Sequence, residues 1–130
     1  MTSVLYAVFA TGLIIWLSAN VIKLRQKNQI SLGDGGNEQL QAARSAHSNA
    51  IEYIPIALLL LFALEYNQGH LILVHACGIV FFIGRIMHAK AIVSTTLSRR
   101  KLGMILTFLS LMAMALLNLV YLPWSKFLQF

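Results

Sequence analysis

Apolar residues run through this chain in four long blocks, roughly Val4–Leu24, Ile51–Tyr66, Leu71–Val93 and Gly103–Leu122, separated by short polar connections. The first, third and fourth blocks each hold about 20 residues, and at about 1.5 Å of rise per residue each reaches across a hydrocarbon core of about 30 Å. The second block is too short alone. With its polar lead-in it becomes a single helix, Glu38–Tyr66, of about 43 Å, whose first turns project into water or pack against other subunits. The pattern predicts one all-α domain over residues 1–130, an integral membrane four-helix bundle with helices at about 4–24, 38–66, 70–93 and 103–122. In the first connection Asp34-Gly35-Gly36 supplies turn chemistry and Asn37 a side-chain oxygen to cap the second helix. Asn67-Gln68-Gly69 makes a tight hairpin, Ser94–Lys101 is the third connection, and Pro123 ends the last helix by withholding a backbone donor.

Composition agrees. The 130 residues are 58% hydrophobic with a mean hydropathy of +0.75, too apolar for an ordinary soluble domain of this length. No positive charge precedes the first block, whereas Lys23, Arg25 and Lys27 follow it, so it is expected to stay as a membrane helix rather than be removed as a signal peptide. Nine of the ten lysines and arginines (Lys23, Arg25, Lys27, Arg44, Arg85, Lys90, Arg99, Arg100, Lys101) lie in or near the first and third connections, and only Lys126 lies at the other end. By the positive-inside rule those connections face the cytoplasm and both termini the periplasm. The net charge of +6 is then a matter of topology, and a nucleic-acid partner, which would need a basic face on a soluble surface, is not expected. Cys77 is the sole cysteine and falls mid-block, so there is neither a disulfide framework nor a cysteine metal motif. No metal site is expected. The absence of an internal repeat argues against a transporter built from inverted halves.

The candidate chemistry is concentrated in residues 44–55, RSAHSNAIEYIP, which run into the second apolar block. Counted from the 67–69 hairpin, Glu52 and Arg85 lie at the same height, about 21–23 Å away, and Asn49 and His88 form a second matched layer with His47 close by. An ion pair between Glu52 and Arg85 is expected, serving either to lock the bundle or to build a site. Asn49 and Glu52 are i, i+3 neighbours with Tyr53 adjacent, and Arg85 and His88 repeat that spacing. Pro55 frees the carbonyl of Ile51. Arg25 and Arg99 come to the same side, so one site draws on four helices or on two subunits. Several arginines with a carboxylate suit a zwitterionic or polyanionic small molecule. The layer has no nucleophile of its own, but an arginine there can stabilise the thiolate of a borrowed thiol.

Arg25 at the end of the first helix, His47-x-Asn49-x-x-Glu52-Tyr53-x-Pro55, Gly84-Arg85-x-x-His88 and Arg99 before the fourth helix occur in the order that resembles the MAPEG family, the membrane-associated proteins in eicosanoid and glutathione metabolism. The resemblance covers nearly the whole chain and points to a small bacterial inner-membrane member. It implies a homotrimer with glutathione, as cosubstrate, bound between subunits and open to the cytoplasm, and a microsomal-type glutathione transferase or peroxidase activity on hydrophobic electrophiles arriving from the lipid. Within that likeness Arg25, His47, Asn49, Glu52, Tyr53, Arg85 and His88 form the glutathione site, Arg85 as a support, and Arg99 is the catalytic group holding the thiolate. There are departures. Ser45 stands where the family often has an arginine, and Arg44, one place earlier, is turned by about 100°. His88 and Ile92 replace two tyrosines of the eukaryotic enzymes.

Three other readings remain open at this point. One is a trimeric scaffold that keeps the fold without catalysis. Another is a b-type cytochrome with His47 and His88 as axial ligands, His70 and His75 being ordinary hydrogen-bonded contacts. The third is a small exporter using Glu52, against which its arginine partner argues. Met104, Phe108, Met112 and Met114 read as lipid-facing or packing residues.

Overall fold

A bilayer core offers no water to backbone N–H and C=O groups, so each apolar block must satisfy its hydrogen bonds internally, as a helix does. In the computed structural model, which describes residues 1–128 apart from the side chains of Lys126 and Phe127, the blocks form α1 (Ser3–Asn28), α2 (Glu38–Tyr66), α3 (Leu71–Val93) and α4 (Leu97–Val120), followed by a short α5 (Trp124–Phe127). The expected position of the Lys126 charge lies outside the described residues. All four long helices are long and apolar enough to cross a membrane, and no strand occurs among the described residues. The protein is an all-α, four-helix integral membrane protein.

The spans of α2 and α3 match the hydropathy pattern, whereas α1 and α4 differ from it for one reason: hydropathy marks where a helix leaves the apolar layer, not where it ends. α1 runs on to Asn28, because the basic residues after Leu24 are good helix formers and complement the carboxyl end of the helix dipole. It stops at Gln29, whose left-handed φ of 54° lets its N–H close on Arg25 and Gln26 carbonyls. α4 begins at Leu97, not Gly103, so Arg99, Arg100 and Lys101 lie on helical turns rather than in a connection, and it ends at Val120, short of Leu122. The Asn37 side chain caps α2 by accepting the Leu40 N–H at 2.9 Å, and α2 continues unbroken through Pro55.

α2 and α3 form the middle of the bundle, with α1 packed mainly on α2 and α4 mainly on α3. The buried stripe of α2, Leu40, Ala43, Ala46, Ala50, Ile54, Ala57, Leu61 and Leu64, has the 3–4 spacing of one helix face, and its alanines let both neighbours approach where the polar residues are. α3 and α4 meet backbone to backbone. A Cβ on Gly84 would lie 2.9 Å from the Gly103 carbonyl oxygen, and one on Gly103 would lie 2.7 Å from the His88 nitrogen. At the opposite end the Glu65 carboxylate accepts the Ser3 N–H at 2.8 Å together with the Thr2 N–H and both hydroxyls, so the end of α2 supplies the cap that Thr2 does not provide for α1. Tyr6 sits on Gly78 and bonds the Nδ1 of His75 at 2.8 Å, and the His70 ring accepts the Ile72 N–H at 3.3 Å. Both histidines are helix contacts, as expected.

Candidate functional site

Gln41, Ser45, Ser48 and Glu52 recur at the spacing of one helix face, and all four are exposed on α2. This polar stripe lies at the end of the bundle shared by the 1–2 and 3–4 connections, and grooves open on both sides of it. Between α1 and α2 a groove of about 520 Å³ is lined by Arg25, Arg44 and His47 together with Ser45 and Ser48. Arg25 donates through Nη1 to the Ile30 and Ser31 carbonyls at 3.4 and 3.3 Å, which also ties down the chain leaving α1. The His47 Nε2 lies 2.9 Å from the Ser18 hydroxyl. Arg44, although offset by one place from the family's arginine position, lines this groove, where it lies 3.8 Å from Asp34.

The second groove, about 380 Å³, lies against α2, α3 and α4 and is lined by Asn49, Glu52, His88, Arg100 and Met104, again with Ser45 and Ser48. His88 is buried, and its Nδ1 lies 3.2 Å from the Arg100 carbonyl. A carbonyl only accepts, so Nδ1 carries the proton of this contact. An apolar groove of Met104, Ile105 and Phe108 continues along α4, and Arg100 and Met104 line both.

Arg85 lies beneath these grooves with no exposed surface. Its Nη2 donates to the Asn49 side-chain oxygen, its Nη1 to the Thr107 hydroxyl at 3.4 Å and toward the Met104 sulfur at 3.7 Å, and its guanidinium carbon stands 5.4 Å from the centre of the Tyr53 ring. Its Nε is buried without a partner among the described residues. The expected Glu52–Arg85 ion pair is not formed: Glu52 lies on the exposed face, one helical turn along and about 60° round from Asn49. Equal height does not fix which way a side chain faces, and a long arginine reaches a turn away from its own Cα.

Of the residues singled out from sequence, Asn49, Glu52 and His88 share one groove, Arg25 and His47 the other, and Arg85 and Tyr53 lie underneath. Arg99 is exposed and lines neither groove, whereas the neighbouring Arg100 does. The signal for Arg100 was available only as one of three consecutive cations, and the α4 register decides among them. His47 and His88 line different grooves and are engaged with different helices, so they do not bracket a common haem position. Among the described residues no group of three His, Cys, Asp or Glu side chains is placed to hold a metal.

The MAPEG family model matches residues 3–120. The inner membrane protein YecN of Escherichia coli K12 is 42% identical over 125 residues, covering 96% of this chain and 95% of its own. A protein of the same name from Escherichia coli O6:H1 strain CFT073 matches equally.

Proposed function

Because the chain belongs to the MAPEG family, we propose that it binds glutathione along the polar stripe of α2 and activates it toward hydrophobic electrophiles, as a transferase- or peroxidase-type enzyme of a bacterial inner membrane. The observation that carries this reading is the set of charges around that stripe: Arg25 and Arg44 on one side, Arg100 on the other, and between them an exposed Glu52 with no ion pair among the described residues. Glutathione has two carboxylates for guanidinium groups, an ammonium for Glu52 and amides for Asn49, Ser45 and Ser48. Tyr53 and Arg85 hold Asn49 in place from below. A carboxylate and two serines exposed on a membrane helix need protein neighbours rather than lipid, which favours a homotrimer closed through α2, with the ligand between subunits. The basic connections face the cytoplasm and the termini the periplasm in this reading.

Arg99, exposed on the first turns of α4, is the proposed thiolate partner, and the adjoining groove of Met104, Ile105 and Phe108 is the proposed seat of the electrophile. The thiolate sulfur forms a bond to the electrophilic carbon, and the leaving group departs with the displaced electron pair. One guanidinium beside the sulfur would lower the thiol pKa by about one unit, about 1.4 kcal/mol. Glutathione titration of the purified protein, read by thiolate ultraviolet absorbance, tests this. At saturating glutathione Arg99→Ala should abolish the signal and any conjugation, while Arg100→Ala should raise the glutathione concentration needed but keep the signal; equal behaviour of the two variants at saturation would remove Arg99 from the chemistry.

The position of Arg99 outside both grooves favours one second reading, a trimeric scaffold that binds glutathione without ionising it. Calorimetric binding with no thiolate signal would establish that reading. An exporter is no longer opposed by a Glu52–Arg85 pair, but three arginines lining the grooves repel the cations such a pump would carry.

A further inference from the structure

A wide apolar opening lies away from the polar stripe, between α1 and α3. It is a groove of about 610 Å³ with Phe9 and Trp16 on one wall, Ile79, Ile83 and Ile86 on the other, and Lys90 at one end. It shares no residue with either polar groove. α1 and α3 touch each other least of the paired helices, and a side chain added at Gly12, on the α1 wall, would meet nothing within 4 Å. The opening lies between two parallel helices that touch each other little.

Charge is distributed along this groove in one direction only. On α3 the exposed series Ile79, Ile83, Ile86, Lys90 keeps to one face and ends in a cation, and on α1 the seven-residue series Phe9, Trp16, Lys23 does the same. Tyr6 meets α3 at His75 and Gly78, a register that brings Lys23 level with residues 92–95, within about 3–8 Å along the axis of Lys90. From Ile79 to Lys90 the groove runs about 16 Å, about half of a hydrocarbon core. An apolar slot one leaflet deep, with two lysines at its polar end, has the chemistry of one phospholipid: an acyl chain below and a phosphate above.

We propose that the α1–α3 groove is a binding site for an anionic phospholipid of the leaflet on the side of the two basic connections, with an acyl chain against Trp16 and Ile83 and the headgroup phosphate between Lys23 and Lys90. The groove shares no residue with the polar stripe of α2, through which the proposed trimer closes, and a second copy of the chain seated here would have to place an anionic group at the lysines to do as well. The site holds whether or not glutathione binds.

Trp16 is a built-in reporter, since Trp124 is the only other tryptophan. The Trp124→Phe protein is reconstituted in phosphatidylcholine vesicles containing either phosphatidylglycerol or phosphatidylcholine with brominated acyl chains, and quenching of Trp16 fluorescence is followed against the mole fraction of brominated lipid. The brominated phosphatidylglycerol should quench at lower mole fraction, with a preference of about fivefold for each lysine near the surface. Lys23→Gln and Lys90→Gln should each reduce that preference, the double replacement should remove it, and Lys→Arg at both positions should keep it. Equal quenching by the two lipids, or a preference that survives the double replacement, overturns the headgroup site. Absence of quenching by either lipid overturns the proposal altogether and assigns the groove to a protein neighbour.

Discussion

Replacing Asn49 by leucine should be among the most damaging single changes in this chain, because Asn49 supplies the closest oxygen to a guanidinium that has no contact with solvent. Arg85 is completely buried, and its remaining contacts are long: the Thr107 hydroxyl at 3.4 Å and the Met104 sulfur at 3.7 Å. A hydrogen bond to a charged group contributes about 1.5–3 kcal/mol, and stripping a partner from a buried charge costs about 3–5 kcal/mol because the charge stays desolvated. Asn49→Leu is therefore expected to lose about 3 kcal/mol. Arg85→Met removes the charge itself together with its interaction with the Tyr53 ring, about 1–2 kcal/mol, and the half-buried Asn49 amide can then turn to the groove. The double variant should be little worse than Arg85→Met alone, leaving a coupling energy of about 1.5 kcal/mol or more.

Reversible unfolding in mild detergent mixed with a denaturing one, followed by circular dichroism for the four proteins of the cycle, measures these terms. Glu52→Ala is the control. Glu52 has no ion pair among the described residues and faces outward, so its loss should change protomer stability by less than about 1 kcal/mol while weakening ligand binding. If Glu52→Ala costs as much as Asn49→Leu, or if the cycle shows no coupling between Asn49 and Arg85, the reasoning about Arg85 is wrong.

The close approach of α3 and α4 predicts that Gly103→Ala costs about 1–3 kcal/mol, since its methyl meets the His88 backbone at 2.7 Å. Gly12→Ala, in open space, should instead be neutral or add up to about 1 kcal/mol through helix propensity, and thermal unfolding of the pair compares the two directly. Glu65→Ala should lose about 1–2 kcal/mol and raise amide hydrogen exchange at Thr2 and Ser3 specifically, because it uncaps α1; unchanged exchange there would mean the cap is supplied otherwise. Native mass spectrometry from mild detergent should show a trimer, and a protein that stays monomeric would leave the polar stripe of α2 without the neighbours it needs.

What could be read from the sequence was whatever depends on local periodicity and turn chemistry. The four helices, the Asn37 cap and the hairpin at residues 67–69 all belong to that class, since each is decided within a few residues. Height along the bundle was also legible, and it placed Asn49, Glu52, Arg85 and His88 near one another. Direction around a helix was not, and that is where the Glu52–Arg85 pairing failed. The Glu65 cap was out of reach for a related reason: it depends on the start of α1 meeting the end of α2, and its only signal was a carboxylate next to a hairpin with no cation close in sequence. Arg99 and Arg100 are indistinguishable by composition and separate only once α4 is known to begin at Leu97.

The failed pairing changes what Glu52 implies. Had Arg85 taken it, both charges would have been accounted for inside the protomer, and the simplest role for Glu52 would have been structural. With Asn49 in that place, the buried cation is held by neutral groups and the carboxylate is left on the surface of a membrane helix, one turn from the apolar residues after Pro55. A carboxylate in such a position is costly unless a cationic or hydrogen-bonding partner reaches it from outside the chain. Arg100, across the same groove, likewise has no ion pair among the described residues. A zwitterion lying between them satisfies both, whereas a Glu52 already paired with Arg85 would have had nothing left to offer a ligand's ammonium.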